Sequence, residues 1–254
     1  VYQQLDSRMR PAEATRPALT VESVFAGYGK REVLNGISLS IGPGETVAIL
    51  GANGAGKSTL LKVIMGLVPS SQGKVLLGGR EIQTMHAHER RRLGIAYLPQ
   101  RDEVFPSLTV EENLYLGTWA LPKLARKKAV VRILEDFPSL QGHLRRRAGL
   151  LSGGQRRMLA LTMTMMSHPK LVLLDEPSAG LSPSAASELY VTIKRLGLTK
   201  ELALLWVEQR TNDILCLAQR AVMLHEGAIV AETLNPRGWL KGLVLGTIVF
   251  GETR

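Results

Sequence analysis

Residues 46–65 pass without a break from an apolar, β-rich run (TVAIL, Thr46–Leu50) through a glycine-rich turn (GANGAGKST, Gly51–Thr59) into apolar residues at helical spacing (Lys57–Met65). A buried strand that turns straight into a helix is the building unit of a parallel α/β sheet. The turn also fits G-x-x-x-x-G-K-[ST], with Gly51, Gly56, Lys57 and Ser58 in the fixed places and Asn53, Gly54, Ala55 and Thr59 completing the string. Glycines at such a turn let backbone N–H groups wrap around phosphate oxygens. The helix N-terminus behind them adds unpaired donors and the positive end of its dipole. The expected ligand is therefore a nucleotide phosphate chain, with Lys57 reaching the β- and γ-phosphates and the Ser58 hydroxyl binding Mg²⁺. A glycine-rich turn that binds nothing is the bland alternative, disfavoured by Lys and Ser in register after Gly56.

A second apolar run, Leu171–Leu174, ends in Asp175-Glu176-Pro177. The C-terminal end of a buried strand is where α/β sheets bind ligands. There Asp175 suits a place around Mg²⁺, and Glu176 suits a general base or water-orienting group for attack on the γ-phosphate. Acidic turns end many strands, but beside a phosphate loop an acidic Mg²⁺ partner is required chemistry. Between the two runs lies LSGGQ (151–155), followed by a helical stretch, Arg156–Ser167. Ser152, Gly153, Gly154 and Gln155 leave a helix start nearly bare, which suits an approaching anion. The methionines of that stretch (Met158, Met163, Met165, Met166) read as core packing.

In this order the three strings resemble the ATP-binding subunit of ATP-binding cassette (ABC) transporters, from about Leu19 to about Glu232. The resemblance implies ATP and Mg²⁺ as ligands. It implies a head-to-tail dimer in which Ser152–Gln155 faces the γ-phosphate held by the other subunit. It places Tyr28 (in FAGYGK) against adenine, where local packing of a turn tyrosine is the alternative. It makes Gln100 a sensor of the γ-phosphate and a Mg²⁺ ligand with Ser58 and Asp175. It puts Gln209 where most relatives have histidine. A glutamine can orient water but cannot carry a proton near neutral pH, so the site built from Lys57, Glu176 and Gln209 is expected to be the slower of a pair if the partner keeps its histidine; Gln209 positioning water adequately, with both sites equal, is the alternative. Ser182, where many relatives have Asp, is a second departure.

VEQ (207–209), PSLTVEENL (106–114), FPSL (137–140) and DEPSAGLSP (175–183) resemble one branch, the second ATPase of branched-chain (hydrophobic) amino acid importers, with urea and short-amide importers as cousins. That branch implies a second ABC ATPase subunit as partner, a heterodimer with the homodimer left open. It further implies two transmembrane permease subunits and, indirectly, a periplasmic or extracellular binding protein. The resulting location is peripheral, on the cytoplasmic face of a bacterial inner membrane. A lipid exporter is the nearest competitor and would usually keep the histidine at 209. A soluble ABC ATPase acting on ribosomes, DNA or iron–sulfur assembly is more distant, since the chain holds one cassette and no heptad insertion.

At 254 residues the chain can bury a substantial α/β core. Mean hydropathy is near zero and no apolar run approaches 18 residues; Leu243–Phe250 is the longest candidate and Gly246 interrupts it. Residues 1–18 read as a flexible or tag-like leader without a signal peptide. Cys216 stands alone, which suits a reducing compartment. The net charge of +10 concentrates at Arg90–Arg92, Arg126–Lys128, Arg145–Arg147 and Arg156–Arg157. Each cluster singly reads as a solvated helix face, with an anionic leaflet as the sharper alternative and no nucleic-acid module in view.

The expected architecture is α/β: a mostly parallel sheet carrying the phosphate loop, an antiparallel β subdomain and a helical subdomain over about 100–167. Strands are expected at Leu19–Phe25, Val33–Ile41, Thr46–Leu50, Lys74–Leu77, Ile95–Pro99, Leu171–Leu174, Ala203–Val207 and Ala221–Leu224. Val110–Trp119 and Lys123–Phe137 read as helices. The ATPase domain is expected over 19–232, leaving 233–254 as a tail without an assigned role.

Overall fold

A computed structural model describes residues 16–101, 104–119, 121–200, 202–208 and 211–241. Gln209, the leader through residue 15 and the run 243–250 lie outside these residues, as does Glu103.

The chain begins with strands β1 (Leu19–Tyr28) and β2 (Arg31–Ile41), then β3 (Thr46–Leu50) and helix α1 (Lys57–Met65). Next come β4 (Ser70–Leu77), β5 (Arg80–Glu81), α2 (Ala87–Arg92) and β6 (Ile95–Leu98). A helical segment holds α3 (Val110–Gly117), α4 (Lys123–Asp136), two 3₁₀ turns (Pro138–His143 and Ala148–Leu150) and α5 (Gly153–Met165). The remainder is β7 (Leu171–Asp175), α6 (Pro183–Lys200), β8 (Ala203–Val207), α7 (Thr211–Leu217), β9 (Arg220–His225), β10 (Ala228–Thr233) and α8 (Pro236–Lys241).

The described strands form two sheets, ordered β2-β1-β4-β5 and β10-β9-β3-β8-β7-β6. The first is antiparallel. In the second, β9, β3, β8, β7 and β6 run parallel and β10 closes one edge antiparallel. The parallel strands read as unbroken apolar runs because both faces are covered. Along β3, Ala48 and Leu50 face the core shared with α3, α5 and α6, whereas Val47 and Ile49 face the core shared with α1 and the antiparallel sheet. Helix α1 is thereby clasped between the two sheets, which fixes the phosphate loop that precedes it.

Expected and observed elements coincide at β3, β8 and α1 and differ by a few residues at most others. Three differences are informative. Strand β4 starts at Ser70, earlier than expected, because its polar first half pairs with β1 (Phe25 opposite Gln72, Ala26 opposite Ser70). β10 escaped the sequence reading because an edge strand is half exposed and this one carries Ala and Glu, poor strand formers. The segment beyond Thr233 opens with α8, which packs on α7 and brings Trp239 against the core.

The solvated-face reading of the basic clusters is corrected at two positions. Arg90 is buried, donating from Nη1 to Val63 O (2.7 Å) and Ile64 O (2.9 Å) at the end of α1 and from Nη2 to Gln83 O. A cation there satisfies the last carbonyls of the helix and complements its dipole. Arg157, in α5, is 3% exposed. The physical reason is shared: in both cases main-chain carbonyls converge on the guanidinium and replace water. Met158, Met165 and Met166 are buried, as expected of core methionines.

Candidate active site

The phosphate loop leaves the C-terminal end of β3, next to β8 and β9. Gly51 has φ +147°, and a Cβ there would lie 2.2 Å from the Leu224 carbonyl oxygen. Glycine is thus demanded by backbone packing against β9, not by a ligand. Gly54 has φ +84° and open space where a Cβ would stand. That strip of loop backbone is accessible from the cleft. Gly56 caps α1 in a left-handed conformation without any side-chain cap, and no acid lies in the first turn. The first-turn N–H groups are therefore left for an external acceptor.

A cleft of about 380 Å³ opens over the loop, lined by Tyr28, Arg31, Val33, Asn53, Gly54, Gly56, Lys57, Ser58, Thr59 and Glu176. Gly51 and Ala55 do not wall it; Ala55 is buried in the core below. Tyr28 is half exposed at the end of β1, its ring available to a flat ligand. Lys57 Nζ folds back onto Gly51 O (2.8 Å) and Ala52 O (3.0 Å). Burial pushes its pKa down, and the Glu176 and Asp175 charges push the other way.

Strand β7 brings the carboxylates to the same edge. Ser58 Oγ donates to Asp175 Oδ1 at 2.8 Å, and Tyr97 OH donates to Asp175 Oδ2 at 2.9 Å. Burial, then the Asp175 charge and this hydrogen bond, push the Tyr97 pKa far up, so the phenol stays a donor. Glu176 is 6% exposed and accepts from Gln100 Nε2 at 2.6 Å. Its backbone has φ +46°, a left-handed conformation that side-chain-bearing residues rarely adopt. Its N–H is held by Val207 O at 2.9 Å. Lys57 and Ser58 at the start of α1 thus lie with Asp175 and Glu176 at the end of β7 and Gln100 just beyond β6.

The donors Ser58, Asp175 and Gln100 offer a hydroxyl, a carboxylate and an amide oxygen. This all-oxygen set suits Mg²⁺, which takes one or two carboxylates and completes its shell with other oxygens, phosphates and water. No group of three or more His, Cys, Asp or Glu capable of holding a metal by itself occurs among the described residues.

Ser152, Gly153, Gly154 and Gln155 sit elsewhere, at the start of α5, and none of them lines the cleft. Ser152 and Gln155 form a capping box: Ser152 Oγ accepts from Gln155 N (3.2 Å) and Gln155 Oε1 accepts from Ser152 N (3.0 Å). A Cβ on Gly154 would come within 2.8 Å of Ala185 Cβ in α6, whereas Gly153 has room. The two glycines, read alike from sequence, therefore differ: one lets helices pack and the other keeps the helix start bare. Ser182, the second departure, caps α6, its Oγ accepting from Ala185 N at 3.3 Å ahead of Pro183.

Tyr97, Arg31 and Val33 were missed by sequence reasoning. Tyr97 reaches Asp175 only because β6 pairs with β7, a neighbour relation that no local pattern reports. Arg31 and Val33 face the cleft because β2 folds back beside the loop.

The profile of the family described as "ABC transporter" matches residues 34–179. The chain belongs to the ABC transporter family. BraG of Pseudomonas aeruginosa, a high-affinity branched-chain amino acid transport ATP-binding protein, is 40% identical over 215 residues, covering 84% of this chain and 91% of BraG. LivF of Archaeoglobus fulgidus, named for branched-chain amino acid transport, is 40% identical over 204 residues, covering 80% of this chain and 86% of LivF. LptB of Haemophilus influenzae, a lipopolysaccharide export ATP-binding protein, is 35% identical over 218 residues, 84% of this chain and 89% of LptB. The ADP conformation of MJ1267, an ATP-binding cassette of an ABC transporter, superposes with a TM-score of 0.84 at 28% identity, covering 94% of this chain and all of that one. As an ABC ATPase domain the chain binds and hydrolyses ATP. No described helix is long and apolar enough to cross a membrane.

Proposed function

We propose that this ABC ATPase energises a membrane importer of branched-chain or related hydrophobic amino acids, working from the cytoplasmic face of the membrane. The observation that carries the catalytic part is the meeting of Lys57 and Ser58 with Asp175 and Glu176 at one sheet edge, with Gln100 bonded to the base. The relatives at 40% identity support the substrate class. In this reading the loop backbone and Lys57 bind the triphosphate, Tyr28 covers adenine, and Glu176 accepts the proton of the attacking water while Gln100 orients both. Ser58, Asp175 and Gln100 would hold Mg²⁺, which would supply positive charge against the triphosphate. Gln209, a residue that cannot carry a proton near neutral pH, makes this the slower site of a pair if the partner keeps a histidine there.

Ser152–Gln155 does not line the cleft of its own chain, which supports a second ABC ATPase across a head-to-tail dimer. A groove of about 480 Å³ between the sheet and the helical segment, walled by Leu67, Phe105, Leu116 and Trp119 among others, suits a cytoplasmic helix of a permease subunit. These four side chains are between 42% and 53% exposed, an apolar strip that a monomer rarely leaves uncovered. Asn113 holds the rim in place, its amide bonding Phe105 N and O and Thr109 O.

Affinity isolation from membranes, followed by reconstitution and uptake assays, tests this reading. Co-isolation of a second ATPase and two permeases, with ATP-dependent leucine or amide uptake, is the expected result. Trp119→Ala or Phe105→Asp should then abolish uptake while leaving nucleotide binding intact. Association with a lipid-export permease and no uptake would shift the assignment to the LptB-like reading.

A further inference from the structure

Helix α5 is buried almost all round: Met158, Leu159, Ala160, Leu161, Thr162 and Met165 are all inside, and so is Arg157. A guanidinium in such a place must find acceptors. Arg157 donates from Nε to Pro177 O (2.5 Å), from Nη2 to Glu176 O (3.0 Å) and from Nη1 to Pro99 O (2.8 Å). These three carbonyls belong to the residue before Gln100, to Glu176 itself and to the residue after it. They come from the ends of two different strands, and Arg157 comes from the helix that begins with Gly153.

We propose that Arg157 is the positioning residue that locks Glu176, the segment carrying Gln100 and the glycine-rich start of α5 into one moving body. The inference rests on the reading of Glu176 as the base. The Glu176 backbone sits in a left-handed conformation and is fixed at its N–H by Val207 and at its C=O by Arg157. Loss of the second tie frees the backbone to leave that conformation, and with it the 2.6 Å bond from Gln100 to the carboxylate. A planar fork with five donors can meet three carbonyls from different segments at once; an ammonium is a single point and cannot reproduce the spread. A displacement at Ser152–Gln155, one helical turn away, is then passed to the base and to Gln100 without any intervening soft segment. Turnover, not nucleotide affinity, should depend on Arg157, because of these three carbonyl-bearing residues only Glu176 lines the cleft.

The test uses the full chain with Arg157→Lys and Arg157→Gln, the latter keeping two N–H donors. Nucleotide affinity is read with a fluorescent ATP analogue plus Mg²⁺, turnover by phosphate release, and backbone mobility by hydrogen exchange. The expected result is affinity within about twofold of the parent, kcat reduced at least about tenfold, and faster exchange confined to 97–101 and 175–178. A folded variant with kcat within about twofold of the parent overturns the proposal, as does faster exchange spread evenly over the chain, the sign of a purely structural role. A second measurement needs no substitution. In the unsubstituted chain, titration with ATP and Mg²⁺ should change exchange in 97–101, 153–158 and 175–178 with one midpoint; a change confined to the phosphate loop also overturns it. Glu176→Gln assayed in parallel separates the two ideas: if it turns over normally, the base assignment fails, while the exchange data still judge the clamp.

Discussion

Gln100 donates its amide N–H to the Glu176 carboxylate at 2.6 Å, although 76 residues separate them. The glutamine that opens the helical segment thus grips the group that faces the cleft. Strand β6 delivers the first and β7 the second, and these strands are paired neighbours.

Glu176→Gln should reduce the hydrolysis rate by about 10²–10⁴-fold, the usual contribution of a positioned base. Nucleotide binding should survive, since Lys57, the loop backbone and Asp175 are untouched. Single-turnover phosphate release beside equilibrium nucleotide binding measures both, and a rate within about twofold of the parent would remove Glu176 from the role.

Tyr97→Phe removes the donor to Asp175 Oδ2 while preserving the ring. Asp175 then keeps only Ser58 among the side-chain partners seen here, and its orientation loosens. Outer partners of metal-binding groups are worth about 10–100-fold in metal affinity or activity. The half-saturating Mg²⁺ concentration for hydrolysis should rise within that range, and unfolding stability should fall by about 1–2 kcal/mol. A Mg²⁺ titration and a urea melt on the same preparations check the two parts.

Lys57 gives a pH-dependent prediction. Burial lowers its pKa in the folded chain relative to 10.5, its ordinary value. Between the folded and unfolded pKa the unfolded chain binds more protons at this site, so its contribution to stability rises with pH. The disadvantage of burying this charge is complete below the folded pKa and gone above 10.5. The stability of the nucleotide-free parent relative to Lys57→Met should therefore be greater at a pH close to 10.5 than at neutral pH. Paired urea melts at both pH values cancel the other titrating groups, and a falling difference contradicts the sign. Lys57→Met should also lose the stabilisation that ATP confers on the parent.

Gly153 and Gly154 separate packing from ligand access. Gly154→Ala forces a methyl against Ala185 and should destabilise the chain by about 1–3 kcal/mol. Gly153→Ala meets nothing closer than 3.7 Å, at Leu181 Cδ2, and should leave stability within about 0.5 kcal/mol while slowing hydrolysis in the assembled dimer. Melting curves and assembled-state turnover for both variants resolve the two roles.

The sequence by itself determined the phosphate loop, the paired carboxylates after β7, the bare start of α5 and the α/β class, because each is written in consecutive residues whose spacing is local chemistry. Apolar runs such as Leu171–Leu174 also revealed the buried parallel strands, since both of their faces are covered and no polar residue interrupts them. Only the tertiary structure decided what lies across from what. The pairing of β6 with β7 brought Tyr97 and Gln100 to Asp175 and Glu176. Helix packing made Gly154 a contact with Ala185 and drew Arg90 and Arg157, which read as surface charge, onto buried carbonyls. A guanidinium in a sequence carries no mark of its acceptors; main-chain carbonyls from distant strand ends supply them only once the chain has folded.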